Sequence, residues 1–215
     1  VPDNLKALVT SGIYDEAVVE ESSYNGEVIA VPHMLSNAGW FYNKQYFEDA
    51  GLVDENGDPI LPTNMEEVLQ TAAKLAKYDQ DGNLVNSGLS LRLTGAASGT
   101  CEKWWVLLMQ YGGTLLEKVG DGLYVAGYNN QAGFDTMRFY LRALYEYGVD
   151  NFEVPHDTSA FLAGETAMFA RETSVIVEAQ KYPELDYGTF PMFNANIAIT
   201  KSWYVLDNGD DAKAE

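Results

Sequence analysis

Few residues in the sequence are of the types that carry covalent chemistry. The two histidines, His33 and His156, are far apart, and neither lies in a metal-binding spacing such as His-Glu-x-x-His. The single cysteine, Cys101, stands beside Glu102 and Lys103 at a predicted helix start, where a thiol can be activated. Because no histidine signature accompanies it, we interpret Cys101 as passive and both histidines as solvated or locally bonded.

Motifs that would define an enzyme or a cofactor site are also missing from the sequence. No Gly-x-Ser-x-Gly elbow occurs, and the small-residue loop at 95–100 lacks both the Lys-Ser/Thr of a P-loop and dinucleotide-binding spacing. The acidic run at 79–83 has Leu84 where a calcium loop needs glycine, so we predict a plain turn. The 32 acidic residues leave a glycosidase-like carboxylate pair open. We expect a non-enzyme with no cofactor and no metal.

Composition limits the partners that the chain can take. With 215 residues and 47% hydrophobic content it can bury a core, and it has no run of 18 apolar residues. A net charge of -19 disfavours nucleic acid and anionic lipid, because both bind through clustered Lys and Arg. The chain opens on Val1 and its last six residues resemble a helix start, so we expect both ends to be cuts.

Residues 30–52 combine three structural signals. Pro32 is expected to break an apolar run, residues 39–42 form an aromatic strand candidate, and Asn43 can cap a short helix that Gly51 stops. We predict that this stretch crosses between two lobes. Ser36 and Asn37 would then face ligand, while Phe41 or Tyr42 faces the core.

Hydrophobic spacing predicts strands that alternate with helices, which indicates an α/β layered fold. One helix follows a capping box formed by Thr63 and Glu66, and another spans 101–111 until Gly112 ends it. Residues 88–93 and 203–206 are predicted strands. The helix capped by Asn130 is predicted to bury one apolar set: Phe134, Met137, Leu141, Leu144 and Tyr145.

Six short motifs in one order carry a family resemblance. They are Tyr24-Asn25-Gly26 to Pro32, Tyr42-Asn43-Lys44 with Phe47 and Ala50-Gly51-Leu52, Pro62-Thr63-x-x-Glu66, Trp105 to Gly112-Gly113, Phe161-x-x-Gly164-Glu165-Thr166-Ala167-Met168, and Asp186-Tyr187-Gly188 to Pro191. Together they resemble the extracellular solute-binding proteins (family 1) of bacterial sugar ABC transporters. The resemblance covers most of residues 20–206.

The resemblance implies a type II periplasmic-binding-protein fold, in which strands cross between two α/β lobes and ligand is held in the cleft. The chain would be mainly the second lobe, with a partial first lobe. We predict a first-lobe remnant and hinge strand at 1–37, the second lobe at 38–193, and a returning crossing strand with the start of a first-lobe helix at 194–215.

The resemblance also implies a set of ligand-binding residues. In the family, ligand groups lie at the crossing strand, before the tryptophan-bearing helix, and after the alanine-methionine strand. The matching positions here are Ser36, Asn37, Thr100, Glu102, Glu172 and Ser174. Ser174 replaces a frequent aromatic residue, so we expect Trp40, Trp104 or Trp203 to supply the ring that stacks on a sugar.

The implied function is the substrate-binding component of an ABC importer, a monomer that captures a carbohydrate and delivers it to a membrane permease. Its expected location is extracytoplasmic, either in the periplasm or lipid-anchored at the cell surface. The acidic composition keeps open a cationic ligand such as a polyamine on the same fold. A glycoside hydrolase is the less favoured alternative.

Overall fold

The computed structural model describes residues 1–95 and 97–204. The chain divides into two compact units, one of residues Ala38–Asn196 and one that joins Val1–Asn37 to the residues from Ile197 onward. The three-part division made from the sequence remains a prediction. The helix predicted in the last six residues lies outside the described residues, and so does Ala96 of the small-residue loop.

The described part of the smaller unit contains two short helices, a tight hairpin and one longer strand pair. Its elements are α1 (Asp3–Val9), α2 (Glu16–Glu21), β1 (Ser23–Tyr24), β2 (Glu27–Val28), the first half of β3 (Val31–Asn43) and β10 (Ala198–Trp203). The turn between β1 and β2 uses Asn25 and Gly26 at φ 51° and 82°, the left-handed values of a type I′ hairpin. Asn-Gly before an apolar run is a typical sequence signal for this turn.

Pro32 does not break the chain into separate segments, as the sequence had suggested, because it lies within β3. The first half of β3 pairs antiparallel with β10, and Pro32 stands opposite Ser202 at a register shift. An irregular position of this kind tolerates proline, which has no amide hydrogen for the ladder. The predicted strand at 203–206 begins where β10 ends, and Val205 and Leu206 lie outside the described residues.

The larger unit is a sheet covered on both faces. The second half of β3, residues 38–43, belongs to this unit. Trp40 and Tyr42 join one apolar cluster and Phe41 joins another, because successive side chains of a strand point to opposite faces. β8 (Met168–Glu172) and β9 (Tyr187–Phe190) both pair antiparallel with this half. The prediction that Phe41 or Tyr42 faces the core is confirmed, since both are buried.

The remaining elements of the larger unit surround this sheet. The helices are α3 (Lys44–Asp49), α4 (Met65–Leu75), α5 (Ala97–Gln110), α6 (Gln131–Leu141) with a π-helical continuation (Arg142–Glu146), α7 (Asp157–Leu162) and α8 (Val175–Ala179). Two hairpins are formed by β4 (Lys77–Tyr78) with β5 (Leu84–Asn86) and by β6 (Leu116–Gly120) with β7 (Leu123–Ala126). Between β4 and β5, the Asp79 carboxylate accepts amide hydrogens from Asp81 and Asn83, which makes the predicted plain turn.

The caps of two helices test the sequence signals directly. Asn43 caps α3 by accepting the amide hydrogen of Gln45 at 3.0 Å, as predicted. At α4 the predicted Thr63–Glu66 box is wrong by one residue. Asn64 is the cap, accepting from the Glu67 amide at 2.9 Å, and the Glu67 carboxylate accepts from the Thr63 amide at 2.8 Å.

Glu66 is drawn away from the helix cap by a cation. Arg142 donates to both carboxylate oxygens of Glu66, and the Tyr147 hydroxyl also donates to it. The Arg142 hydrogen bonds are the main reason that the pKa of Glu66 is lowered to about 2. The carboxylate that the sequence assigned to capping therefore ties α4 to the π-helical turn.

Residues 88–93 do not form the predicted strand. Ser87 and Ser90 make isolated parallel bridges to Thr166 and Phe169. The Leu91 amide donates instead to the Asp150 carboxylate at 2.7 Å. A side-chain acceptor thus replaces the ladder partner that a continuous strand would need.

The predicted buried face of α6 is wrong. Phe134, Met137, Leu141 and Tyr145 are exposed, while the buried side chains are Thr136, Phe139, Tyr140 and Ala143. Both sets recur at three and four residues, so periodicity alone did not distinguish them. Gly133 decides the orientation, because a Cβ at this position would lie 1.8 Å from the Tyr128 carbonyl oxygen.

The two phenylalanines of α6 provide a matched test of this orientation. Phe139 is 2% exposed and Phe134 is 62% exposed. We expect Phe139→Ala to lower the free energy of unfolding by about 3–5 kcal/mol, because it leaves a cavity. Phe134→Ala should change it by less than about 0.5 kcal/mol. Urea unfolding of both variants measures the difference, and equal losses would contradict the orientation.

The corrected cap of α4 gives a second stability prediction. Asn64→Ala removes the acceptor of the Glu67 amide and should lower the free energy of unfolding by about 1 kcal/mol. Asn64→Ser keeps a capping oxygen and serves as the control, with stability close to the unchanged protein. Chemical denaturation is the measurement, and an alanine variant as stable as the serine variant would refute the assignment.

Candidate functional site

The larger unit holds a cavity of about 600 Å³ beside α5 and α6. Most of its wall is aromatic or aliphatic. It is lined by Leu93, Thr100, Cys101, Glu102, Trp104, Trp105, Leu115, Tyr128, Met137 and Tyr140. This size falls within the roughly 300–1,000 Å³ of small-molecule pockets, which are largely apolar with a few placed polar groups.

The helical spacing of α5 places its cavity-lining side chains. Thr100 and Trp104 lie four residues apart and share one face of the helix. Val106, Leu107 and Gln110 are buried and anchor the helix in the protein. The Gln110 amide donates to the Ala195 carbonyl at 2.7 Å, while its oxygen accepts the Phe193 amide at 2.9 Å. These contacts fix which face of α5 meets the cavity.

Two aromatic rings of the cavity wall stand at right angles. Trp104 and Tyr128 meet edge to face, with centroids 5.4 Å apart and planes at 88°. The indole nitrogen of Trp104 and the hydroxyl of Tyr140 are buried, and within the described part of the chain neither has a hydrogen-bond partner. Burial raises the pKa of Tyr140, so this hydroxyl remains a donor at neutral pH. Both are donors without an acceptor in residues that line the cavity.

Three of the predicted site residues come together here. Thr100, Glu102 and Trp104 all line the cavity, and the Thr100 hydroxyl donates to the Arg92 carbonyl at 3.0 Å. Sequence reasoning missed Tyr128 and Tyr140. Tyr140 was missed because the wrong face of α6 had been predicted to be buried.

Glu172 and Ser174 lie in the same unit but do not line this cavity. Glu172 ends β8 and pairs with Arg171 at 3.0 Å between Nε and Oε2. Ser174 is exposed and directly precedes α8. Their role in binding stays a prediction.

Trp40 belongs to the core. Its side chain is 0% exposed, and its ring stacks on Phe190 with centroids 5.9 Å apart and planes at 13°. No face of the ring is open to a sugar, so the suggestion that Trp40 stacks on ligand is corrected. It occupies an inward position of β3, where the strand alternation requires an apolar side chain.

Ser36, Asn37 and Trp203 belong to the smaller unit. Ser36 is buried in β3, whereas Asn37 is exposed in the same strand. Trp203 is exposed at the end of β10, and its ring lies 5.0 Å from that of His33. Their role as ligand contacts remains a prediction from the resemblance.

Both histidines bond to nearby protein atoms, in agreement with the role predicted for them. His33 Nδ1 donates to the Lys201 carbonyl at 2.7 Å, and His156 Nδ1 lies 3.2 Å from the Asp157 carboxylate. Cys101 is exposed on the cavity wall. Across residues 1–95 and 97–204, no three His, Cys, Asp or Glu side chains are grouped so as to hold a metal ion.

A buried ionic cluster behind α5 was not predicted. Lys103 Nζ lies 3.0 Å from Asp157 Oδ2, and the Thr158 amide donates to Oδ1 at 2.8 Å. Burial lowers the pKa of Lys103 although Asp157 opposes it. Burial acts to raise the pKa of Asp157, but Lys103 and Arg171 outweigh it and lower the pKa. A lysine among the apolar residues of α5 was the signal in the sequence that could have revealed this cluster.

A second buried acid, Asp150, lies nearby. The Asp150 carboxylate accepts amide hydrogens from Leu91 at 2.7 Å and from Asn151 at 3.0 Å. Burial is the largest influence on this group and raises its pKa to about 7. Asp150 therefore changes charge near neutral pH.

Comparison with known proteins identifies the family. The sequence matches the family model described as "Bacterial extracellular solute-binding protein" over residues 1–214. No curated protein sequence matches the chain. The chain belongs to the bacterial extracellular solute-binding protein family.

Solved structures share the fold at low sequence identity. The cyclic alpha-maltosyl-1,6-maltose binding protein of Arthrobacter globiformis is 22% identical with a TM-score of 0.68, over 100% of this chain and 52% of that one. UgpB of Mycobacterium tuberculosis, in complex with glycerophosphocholine, is 19% identical with a TM-score of 0.72, over 99% of this chain and 52% of that one. The GacH receptor of Streptomyces glaucescens, whose structures include an acarbose complex, is 18% identical with a TM-score of 0.74, over 99% of this chain and 53% of that one.

These matches show a type II periplasmic-binding-protein fold, as the sequence predicted. The chain spans about half of the length of these relatives, at 52% of the first two. None of its helices, as far as residues 1–95 and 97–204 show, is long and apolar enough to cross a membrane.

The raised pKa of Asp150 predicts a pH dependence of stability. Between pH 3.8 and about 7 the folded protein binds more protons at this group than the unfolded chain does. The contribution of Asp150 to the free energy of unfolding is therefore fully present at low pH. It is lost as the pH rises to about 7, and the loss is up to about 4 kcal/mol. Asp150→Asn removes the titration. In urea unfolding from pH 4.5 to 8, the free energy of unfolding of the variant should rise relative to that of the unchanged protein. A difference between the two that stays constant with pH would contradict the prediction.

Proposed function

We propose that this protein is the substrate-binding component of an ABC importer and that it captures a carbohydrate in the cavity beside α5. The observation that carries the proposal is the joint presence of Thr100, Glu102 and Trp104 on that cavity wall. The protein would act outside the cytoplasm as a monomer and deliver its ligand to a membrane permease. Membership of the family supports the transport role.

The cavity has the two kinds of group that sugars need. A pyranose ring has an apolar face that stacks on aromatic side chains, and Trp104 and Tyr128 provide two perpendicular rings. Sugar hydroxyls and ring oxygens can accept hydrogen bonds from the Trp104 indole and the Tyr140 hydroxyl. The Glu102 carboxylate is an acceptor for hydroxyl donors.

The ligands of structural relatives support a carbohydrate. The Arthrobacter protein binds cyclic alpha-maltosyl-1,6-maltose, the GacH receptor binds acarbose, and another relative holds mannobiose. UgpB holds glycerophosphocholine, so the fold also accommodates other solutes. A micromolar dissociation constant corresponds to about -8 kcal/mol, which a few hydrogen bonds and stacked rings can supply after the costs of ordering.

Titration calorimetry of the full-length protein against a panel of mono- and oligosaccharides tests the proposal. Saturable binding of at least one sugar at micromolar concentration is expected. Spermidine, included in the same panel, tests the alternative of a cationic ligand suited to Glu102 and the aromatic rings. Tighter binding of spermidine than of any sugar would replace the carbohydrate assignment, and turnover of a bound sugar would instead make the protein a glycoside hydrolase.

Trp104 provides the sharpest single substitution for this site. Trp104→Ala removes one stacking wall and one indole donor, so the dissociation constant for the best sugar should rise at least about tenfold, which equals about 1.4 kcal/mol. Phe152→Ala is the control, because Phe152 is exposed and does not line the cavity. Unchanged affinity in the Trp104 variant would place the binding site elsewhere.

A further inference from the structure

The carboxyl ends of two parallel chain segments meet at one edge of the larger unit. Ser87 bridges Thr166 and Ser90 bridges Phe169, both in parallel. Arg92 follows Ser90 by two residues, and Arg171 follows Phe169 by two residues. In open α/β sheets, ligands bind outside the carboxyl ends of parallel strands. Two arginines thus stand at the edge where a ligand is expected.

Positive charge exceeds negative charge in the ion pairs at this edge. Asp157 lies 3.0 Å from Lys103 and 3.9 Å from Arg92, and Arg171 pairs with Glu172 at 3.0 Å. Three cations therefore share two carboxylates. Asp150 is the other buried acid of this region, and its raised pKa of about 7 leaves it only partly charged at neutral pH. This balance is unusual in a chain with a net charge of -19.

The excess charge resides on Arg92. The Asp157 carboxylate is already used by Lys103, by the Thr158 amide and by His156 Nδ1 at 3.2 Å. Arg92 is 9% exposed, and within the described residues its Nε and Nη1 have no hydrogen-bond partner. A guanidinium remains charged when buried, so an unmatched one is costly.

The backbone and the surroundings hold Arg92 in place. Its φ of 56° lies in the left-handed region, which is strained for a residue with a Cβ. Gly99 of α5 packs so closely that a Cβ there would lie 2.0 Å from Arg92 Cζ. Its neighbour Leu93 lines the cavity, and so does Thr100, whose hydroxyl donates to the Arg92 carbonyl. The guanidinium is thus fixed next to the wall of the proposed binding site.

We propose that the ligand carries an anionic group, a carboxylate or a phosphate, that Arg92 binds and that Arg171 helps to attract. The planar guanidinium matches both groups in a two-pronged hydrogen-bonding geometry. The substrate class becomes an acidic carbohydrate. This inference rests on the proposed function, because it assigns a ligand group to the region beside the same cavity.

The test compares matched acidic and neutral sugars on the full-length protein by titration calorimetry. The pairs are digalacturonic acid with neutral galactobiose, and glucose 6-phosphate with glucose. The acidic member of one pair should bind at least tenfold more tightly, and its affinity should fall as salt rises from 50 to 500 mM. The pair that shows the preference distinguishes carboxylate from phosphate.

Two substitutions assign the effect to residues. Arg92→Gln should abolish the preference for the acidic sugar. Arg171→Gln, at a partly exposed position, should weaken binding of the acidic sugar several-fold and leave the neutral sugar unaffected. Arg138→Gln removes the same charge at an exposed position of α6 and should change neither. If Arg92→Gln fails to fold, Arg171→Gln decides the question.

The outcomes separate this inference from the proposed function. Equal or tighter binding of the neutral sugars overturns the anionic group but leaves a carbohydrate-binding protein. An acidic preference that persists unchanged in the Arg171 variant and in a folded Arg92 variant also overturns it. Failure of every sugar, acidic or neutral, to bind overturns both proposals.

Discussion

The packing of β3 is the constraint on which the larger unit depends. Trp40 and Phe41 are adjacent in sequence but enter different apolar clusters, because neighbouring side chains of a strand point to opposite faces of its sheet. Helices can then be held on both faces by burial of apolar surface. A one-residue slip of β3 would exchange the two clusters, so its register with β8 and β9 is fixed.

The buried pair of Lys103 and Asp157 links this core to the candidate site. Lys103 projects from α5 and Asp157 begins α7, so their 3.0 Å contact joins the helix that lines the cavity to α7. Removing either partner would leave a buried charge unmatched, which costs far more than a surface ion pair contributes. The rotation of α5, and with it the placement of Trp104, is thereby restricted.

Local signals in the sequence predicted most elements but not the orientation of every helix. Asn43, Asn130 and Gly51 were correctly assigned, because caps and stops depend on neighbouring backbone atoms. The α6 face was wrong because both of its faces carry apolar residues, and the deciding contact of Gly133 with Tyr128 is tertiary. Thr100, Glu102 and Trp104 followed from the family resemblance, whereas the Arg92 environment depends on contacts among residues distant in sequence.

The outer face of α6 has a consequence for how copies of the protein behave together. Phe134, Leu141 and Tyr145 expose apolar surface along this face, which favours association between molecules. A net charge of -19 opposes that association through mutual repulsion. The repulsion extends about 10 Å at 0.1 M salt but only about 3 Å at 1 M. Charge repulsion thus keeps the molecules dispersed in dilute buffer. Concentrated salt screens this repulsion, and the apolar surfaces can then associate.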